Sequence, residues 1–383
     1  MFLKTVMERN QPLVRLGIEW QQNGVILPDT YLLDYDTILE NARSIKQAGD
    51  ANGVQNFFML KQIGRNPLIA RALTDMGYAG AVCVDFREAL TMVENQIPIG
   101  NVGHLVQIPR AALKKILRAK PVIVTVYTLE KAREISAVCT ELGLHQKLML
   151  RVLGEGDMLY SGQYGGFELQ ELDSAVRAIE AMPNVEVGGV CSFPCFLYDE
   201  AAQDILPMPN LRTVQTAAEM LRARGYRDLM LNTPSATCTH SIPMIAAAGG
   251  THGEPGHGLT GTTPYHAGHP DAEERPGYLY VSEVSHNLGD KAYCYGGGHY
   301  RRGHMKNALV GTTPENAKVV PVLPPDDSSI DYHFELQQNC PVSAAAVMAF
   351  RTQFFVTRSR VAVVKGLSSG KPELAGLYLS LIH

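Results

Sequence analysis

The sequence predicts an α/β fold, a (β/α)8 TIM-type barrel followed by a β-rich C-terminal domain. Three observations predict it. Apolar strand-like runs alternate with helix-like stretches in about eight units over some 240 residues, which suits a closed barrel with right-handed crossovers. No G-x-G-x-x-G turn follows the first strand, as an open doubly wound sheet would show. After about Pro264 helical periodicity fades into short alternating runs rich in glycine, tyrosine and valine. The expected boundaries are 28–264 for the barrel and 265–383 for the β-rich domain, joined by 1–27, with Pro264–Pro270 as the linker.

Taken in order, Thr30-Tyr31-Leu32-Leu33-Asp34 reads as the opening barrel strand, and Asp36-Thr37 as the cap of a helix with Ile38, Leu39, Ala42 and Ile45 on one face. Phe57–Lys61 is the next strand, followed by a helix from Pro67 with proline in its first turn. Strands are expected at 81–85, 102–107, 122–127, 148–153, 187–193 and 229–232, with helices around 88–93 and at 111–118, 129–142, 169–181 and 211–224. In the second domain, strands are expected at 278–284, 318–322, 332–336, 353–356 and 361–364. The tail Leu374–His383 has no interpretable role and reads either as a terminal strand or as a frayed end.

Composition excludes several classes. The 383 residues are 45% hydrophobic with a net charge of −4, and no basic stripe marks a nucleic-acid partner. No apolar run reaches membrane-spanning length, and Met1–Thr5 lacks the pattern of a signal peptide. Seven scattered cysteines without a C-x-x-C pair point to a reduced, cytoplasmic chain without a structural zinc site.

Four stations carry chemistry. Lys61 ends an apolar strand at a strand–helix loop, the edge of a barrel where reactions take place, and a desolvated lysine forms Schiff bases with carbonyl compounds. Asn232-Thr233-Pro234-Ser235-Ala236-Thr237 offers hydroxyls and backbone N–H groups to an anion, or simply caps a helix. Gly253-Glu254-Pro255-Gly256 combines close backbone approach with one carboxylate, or forms a surface turn. Tyr293-Cys294-Tyr295-Gly296-Gly297-Gly298-His299 crowds phenol, thiol and imidazole onto a glycine turn.

The order of these stations resembles the alanine racemase-like, fold-type III pyridoxal-phosphate enzymes over roughly residues 28–300. The pattern is similar to a separate, YhfX-like branch whose Gly-Glu-Pro-Gly motif looks like that of the decarboxylases. The opening strand with Asn41 looks like the family's first strand and helix. The resemblance implies pyridoxal 5'-phosphate as cofactor and Lys61 as its lysine. It places Ser235, Gly253 and Gly256 at the phosphate. The family's arginine toward the cofactor phenol has no match in Gly162-Gln163-Tyr164-Gly165-Gly166, and Arg151 on the preceding strand is the candidate for a related role. Tyr295 looks like the Tyr-Gly element that supplies a second base from the partner subunit, with Cys294 as the alternative, and this implies a homodimer.

Two departures matter. Glu254 stands where racemases offer arginine to the ring nitrogen, and an acidic partner makes the ring a stronger electron sink. The strand Gly189-Val190-Cys191-Ser192-Phe193 lacks the histidine that the family stacks on the ring. His252, His257, His266, His269, His299 and His304 lack the family's His-x-Cys metal signature, so no metal is expected. The resemblance thus implies an enzyme acting on an amino acid or amine, most simply a racemase using Lys61 and Tyr295. A decarboxylase or lyase, a non-catalytic pyridoxal-phosphate carrier, and a cofactor-free Schiff-base lyase stay open.

Overall fold

The structure is a computed structural model that describes residues 2–379. The chain divides into two compact units, one of Arg43–Leu60 and Pro67–Gly256, the other of Met1–Ala42, Lys61–Asn66 and His257–His383.

The first unit is a closed parallel barrel, as the alternating pattern predicts. Its strands are Gln55–Met59 (broken at Phe57), Ala81–Cys83, Ile99–Val102, Ile123–Val126, Gln146–Leu153, Val185–Cys191, Met230–Asn232 and His252–Gly253. Each pairs in parallel with its neighbour, and His252 beside Gln55 closes the ring. The strands are short, buried and mostly apolar because helices cover the outside of such a sheet. Local chemistry punctuates the alternation. Asp85 accepts from Glu88 N at 2.9 Å to start Phe86–Glu94. Thr128 caps Leu129–Leu142, which ends at Gly143 in the left-handed region.

One expected strand moves, and one barrel strand is not expected from sequence. Thr30–Asp34 lies not in the barrel but in the sheet of the second unit, antiparallel to Tyr278–Leu288 and parallel to Arg360–Lys365. All five of its residues are buried, so its apolar run carries no signature of which sheet it joins. The eighth barrel strand is His252–Gly253, too short and too glycine-rich to register as a strand in sequence. The helix cap shifts as well. Asp34, not Asp36, accepts from the backbone N–H of Thr37, because strand passes straight into the helix Tyr35–Asn52. Asp36 instead accepts from Gly366 and Ser368 N–H groups.

The second unit is β-rich. Lys291–Tyr295, His333–Leu336, Lys318–Leu323, Asn307–Gly311, Ala345–Met348 and Tyr278–Leu288 form a closed antiparallel ring. Thr30–Asp34, Arg360–Lys365 and Glu373–Leu379 extend it from Tyr278–Leu288. Helices Leu3–Arg9 and Gln11–Gln22 bury Val6, Leu13, Leu16 and Ile18 against Leu279, Val281, Val347 and Ala362. The expected strand at 353–356 is instead a short 3-10 turn, Phe354–Val356, tied through Phe354 N to the carbonyl of Lys61. Pro264–Gly268 is a helix with a reciprocal Thr263–His266 cap. Of the tail, Glu373–Leu379 is a strand, and 380–383 lie outside the described residues.

Candidate active site

The C-terminal edge of the barrel unit gathers one carboxylate and several donors. Glu254 directly follows the eighth strand and is 7% exposed. Its Oε1 accepts from Asn232 Nδ2 at 2.7 Å and Asn101 Nδ2 at 3.3 Å, and Thr125 Oγ1 donates to Asn101 Oδ1 at 2.8 Å. The backbone N–H of Glu254 donates to Thr237 Oγ1 at 3.3 Å, which ties the Gly253–Gly256 loop to the 232–237 loop. A Cβ on Gly253 would stand 2.8 Å from Asn56 Oδ1 and Thr237 Cγ2, so only glycine fits there. Gly256 is buried in the same loop. Asn101 was not singled out from sequence, yet an amide inside the otherwise apolar run Ile99–Val102 is a legible signal of a buried polar task.

Ser235 donates to the carbonyl of Phe196 at 2.8 Å. Its hydroxyl proton is therefore engaged unless it turns to a ligand. Thr233 Oγ1, fully buried two residues earlier, has no hydrogen-bond partner. That orphaned hydroxyl, with the donors around it, fits an anion such as a phosphate.

Arg151, 1% exposed, donates Nη1 to the Tyr127 hydroxyl at 2.9 Å and Nη2 to the carbonyl of Gln163 at 2.8 Å, with its guanidinium 5.0 Å from the centre of the Tyr127 ring. Its buried Nε has no acceptor. Burial pushes the Tyr127 phenol upward, and Arg151 offsets part of that rise. Cys191 ends the sixth barrel strand, its thiol pushed up to about 12 by burial, so it is not a nucleophile. His104, missed in the sequence reading, is buried after Ile99–Val102, edge-on to Phe193 and 4.0 Å from Cys191 Sγ.

The second unit holds the other stations. Lys61 is partly buried at the head of the Lys61–Asn66 segment. His257 accepts from Arg351 Nε at 3.3 Å and meets Thr262 Oγ1 at 3.1 Å, and burial, Arg351 and Lys61 together drive its proton off. His266 pairs with buried Glu274 at 3.0 Å, and His252, in the barrel, is pushed down to about 3 by burial. Among the described residues no group of three or more His, Cys, Asp or Glu could hold a metal ion. No helix among them is long and apolar enough to cross a membrane.

Tyr295 ends its strand 39% exposed, whereas Cys294 beside it is sealed in the sheet and its thiol is pushed up to about 12 by burial. Alternation along a strand turns neighbouring residues to opposite faces. This burial removes Cys294 from acid–base work.

The sequence profile described as "Alanine racemase, N-terminal domain" matches residues 33–264, and that described as "YhfX-like, C-terminal domain" matches 279–374. The chain belongs to the alanine racemase-like, fold-type III superfamily of pyridoxal-phosphate enzymes. Within it, the C-terminal match and a relative place it in the YhfX-like branch: the Escherichia coli K12 protein YhfX is 43% identical over 383 residues, all of this chain and 98% of that protein. Membership carries pyridoxal phosphate as the cofactor, which the orphaned Thr233 hydroxyl and Arg151 Nε fit.

Solved structures share the fold at low identity. Alanine racemase of Clostridium difficile 630 with cycloserine superposes with a TM-score of 0.67 at 13% identity, covering 93% of this chain and 99% of that one. D-threonine aldolase of Filomicrobium marinum gives 0.67 at 15%, covering 92% and 94%. Diaminopimelate decarboxylase of M. jannaschi gives 0.65 at 14%, covering 95% and 91%.

Proposed function

We propose that this protein is an amino-acid racemase that moves the α-proton of its substrate between Lys61 and Tyr295 of the partner subunit. The observation that carries the carbanion chemistry is Glu254, a buried carboxylate aimed by two amide donors at the mouth of the barrel. Pyridoxal phosphate, when bound, supplies an electron sink for the substrate α-carbon. Lys61 would hold the cofactor and, once the amine of the substrate has displaced it, its freed Nζ would carry a proton to or from that carbon. Glu254 pairs with the ring nitrogen and keeps its proton in place. Thr233, Ser235 and the Gly253–Gly256 backbone would hold the phosphate, and Arg151, whose buried Nε lacks an acceptor, would serve the cofactor phenol.

Racemisation is favoured over one-sided chemistry by Tyr295, a phenol presented to solvent on a fixed turn, which a homodimer would deliver to the neighbouring subunit. Seven cysteines joined by no disulfide fit a cytoplasmic enzyme. The acidic ring partner favours a second reading, decarboxylation or another lyase reaction, and the decarboxylase and aldolase among the similar folds fit it.

The test incubates holoenzyme with each of the nineteen chiral common L-amino acids in deuterated water. α-Deuteration with loss of optical rotation is the expected result. Release of carbon dioxide or an aldehyde without racemisation overturns the racemase in favour of the lyase. Borohydride labelling that maps anywhere but Lys61 overturns the lysine assignment.

A further inference from the structure

The crowding of polar groups on the Tyr295 turn has a structural cause in two carboxylates from distant parts of the chain. Asp331 Oδ2 accepts from the backbone N–H of Gly297 and of His299, each at 3.1 Å. Its Oδ1 and its carbonyl take both Nη groups of Arg358, at 2.7 and 3.0 Å, and Arg358 N donates to the carbonyl of Gly297 at 3.3 Å. Asp29, with φ 61, accepts from the Tyr280 hydroxyl at 2.9 Å and from Ser359. Three further backbone groups of the turn are bound. Gly296 N donates to the carbonyl of Tyr332, Ser282 donates to the carbonyl of Tyr295, and Tyr31 donates to that of Gly298.

The three glycines follow from this packing. A Cβ on Gly296 would meet the carbonyl oxygen of Asp331 at 2.0 Å, one on Gly297 the carboxylate of Asp29 at 2.0 Å, and one on Gly298 the Tyr280 ring at 2.4 Å. Gly297 also has φ 127, a conformation L side chains rarely adopt. The glycines are thus required by how closely the backbone approaches Asp29, Asp331 and Tyr280. A hairpin turn alone would not demand all three.

We propose that Asp331 and Asp29 are positioning residues for Tyr295: together they clamp the backbone of residues 295–299 and so set where the phenol is delivered. The proposal rests on the reading of Tyr295 as an acid–base residue. It assigns a task to residues 29 and 331, which flank the turn from 266 residues before and 36 residues after Tyr295 in the sequence. The phenol ring lies 5.9 Å between centroids from that of His333, and its aim depends on the backbone beneath it.

The test uses cofactor-loaded protein and the common L-amino acid whose α-hydrogen the wild type exchanges fastest. Asp331→Ala is expected to speed hydrogen exchange at the Gly297 and His299 amides by roughly tenfold or more, with the amides of Tyr278–Leu288 unchanged. It lowers kcat of α-hydrogen exchange roughly tenfold with KM unchanged. Asp331→Asn, which keeps an oxygen acceptor, recovers most of both. Should Asp331→Ala fail to fold, Arg358→Met removes the exposed partner of Asp331, and the two amides and kcat must again move together. Release of the amides without loss of kcat, loss of kcat with the amides still protected, or a change confined to KM overturns the positioning role. Tyr295→Phe separates the two claims. If it keeps full exchange, or if wild type exchanges no amino acid, the Tyr295 reading fails and the positioning role with it. If it alone loses exchange, only the clamp is overturned.

Discussion

Asp29→Asn should stabilise the β-rich unit above neutral pH and leave it unchanged in acid. Burial is the main force raising the Asp29 carboxyl from 3.8 to about 6; hydrogen bonds from Ser359 and Tyr280 and the charge of Arg358 pull it down, and Asp331 pushes it up. A rise of about two units corresponds to about 3 kcal/mol at 1.36 kcal/mol per unit, and partial exposure of the side chain brings that nearer to 2. The sign follows from proton uptake. Between pH 4 and 6 the folded state holds the Asp29 proton and the unfolded state releases it, so the stability contributed at this position falls as pH rises and stays low above 6. Asparagine accepts the same two hydroxyl donors, tolerates the left-handed backbone of residue 29, and never ionises. The variant should therefore match wild type near pH 4 and exceed it by about 2 kcal/mol at pH 7.5. The opening energy of the slowest-exchanging amides in Tyr278–Leu288 measures this within the unit concerned, without assuming that the whole chain unfolds in one step. A difference that is the same at pH 4 and 7.5, or that favours wild type at high pH, would refute the electrostatic account of Asp29.

Three further outcomes are expected. Asn232→Ala should weaken pyridoxal-phosphate binding roughly tenfold or more, the scale of one lost hydrogen bond to a charged group, and Asn101→Ala, with the longer bond to Glu254, should weaken it less; a fluorescence titration with the cofactor that ranks them the other way contradicts the aiming role. Gly297→Ala should cost about 3 kcal/mol or more, since its Cβ meets the Asp29 carboxylate at a positive φ, and an unchanged melting temperature would show that the turn is loose. Cys294→Ala should lower stability by about 1–2 kcal/mol yet keep α-hydrogen exchange, whereas a large loss of kcat in a folded protein would return the thiol to the chemistry.

Legibility varied with the kind of residue. Lys61 and Glu254 stand out in the sequence because an amine at the end of an apolar run and a carboxylate between glycine and proline are unusual at those places in a strand–loop pattern. Cys294 and Tyr295 could not be ranked, since adjacent residues on a strand face opposite ways and sequence does not say which face is wet. Asn101 was readable in principle, as a buried amide in an apolar strand, whereas Asp29 and Asp331 were not, because ordinary loop aspartates gain their task only when the chain brings them to Gly297.

By itself the sequence determined the alternation that makes a barrel, the change of texture into a β-rich second unit, and the order of lysine, hydroxyl loop, Gly-Glu-Pro-Gly and tyrosine turn that marks the superfamily. These are local properties, written in period and spacing. Only the tertiary structure decided that Thr30–Asp34 belongs to the second sheet, that His252–Gly253 closes the barrel, and that Asn101 and Asn232 share Glu254. Those are pairings between segments far apart in the chain. A fully buried strand reads the same in either sheet, and a two-residue strand exists only through the neighbours it binds.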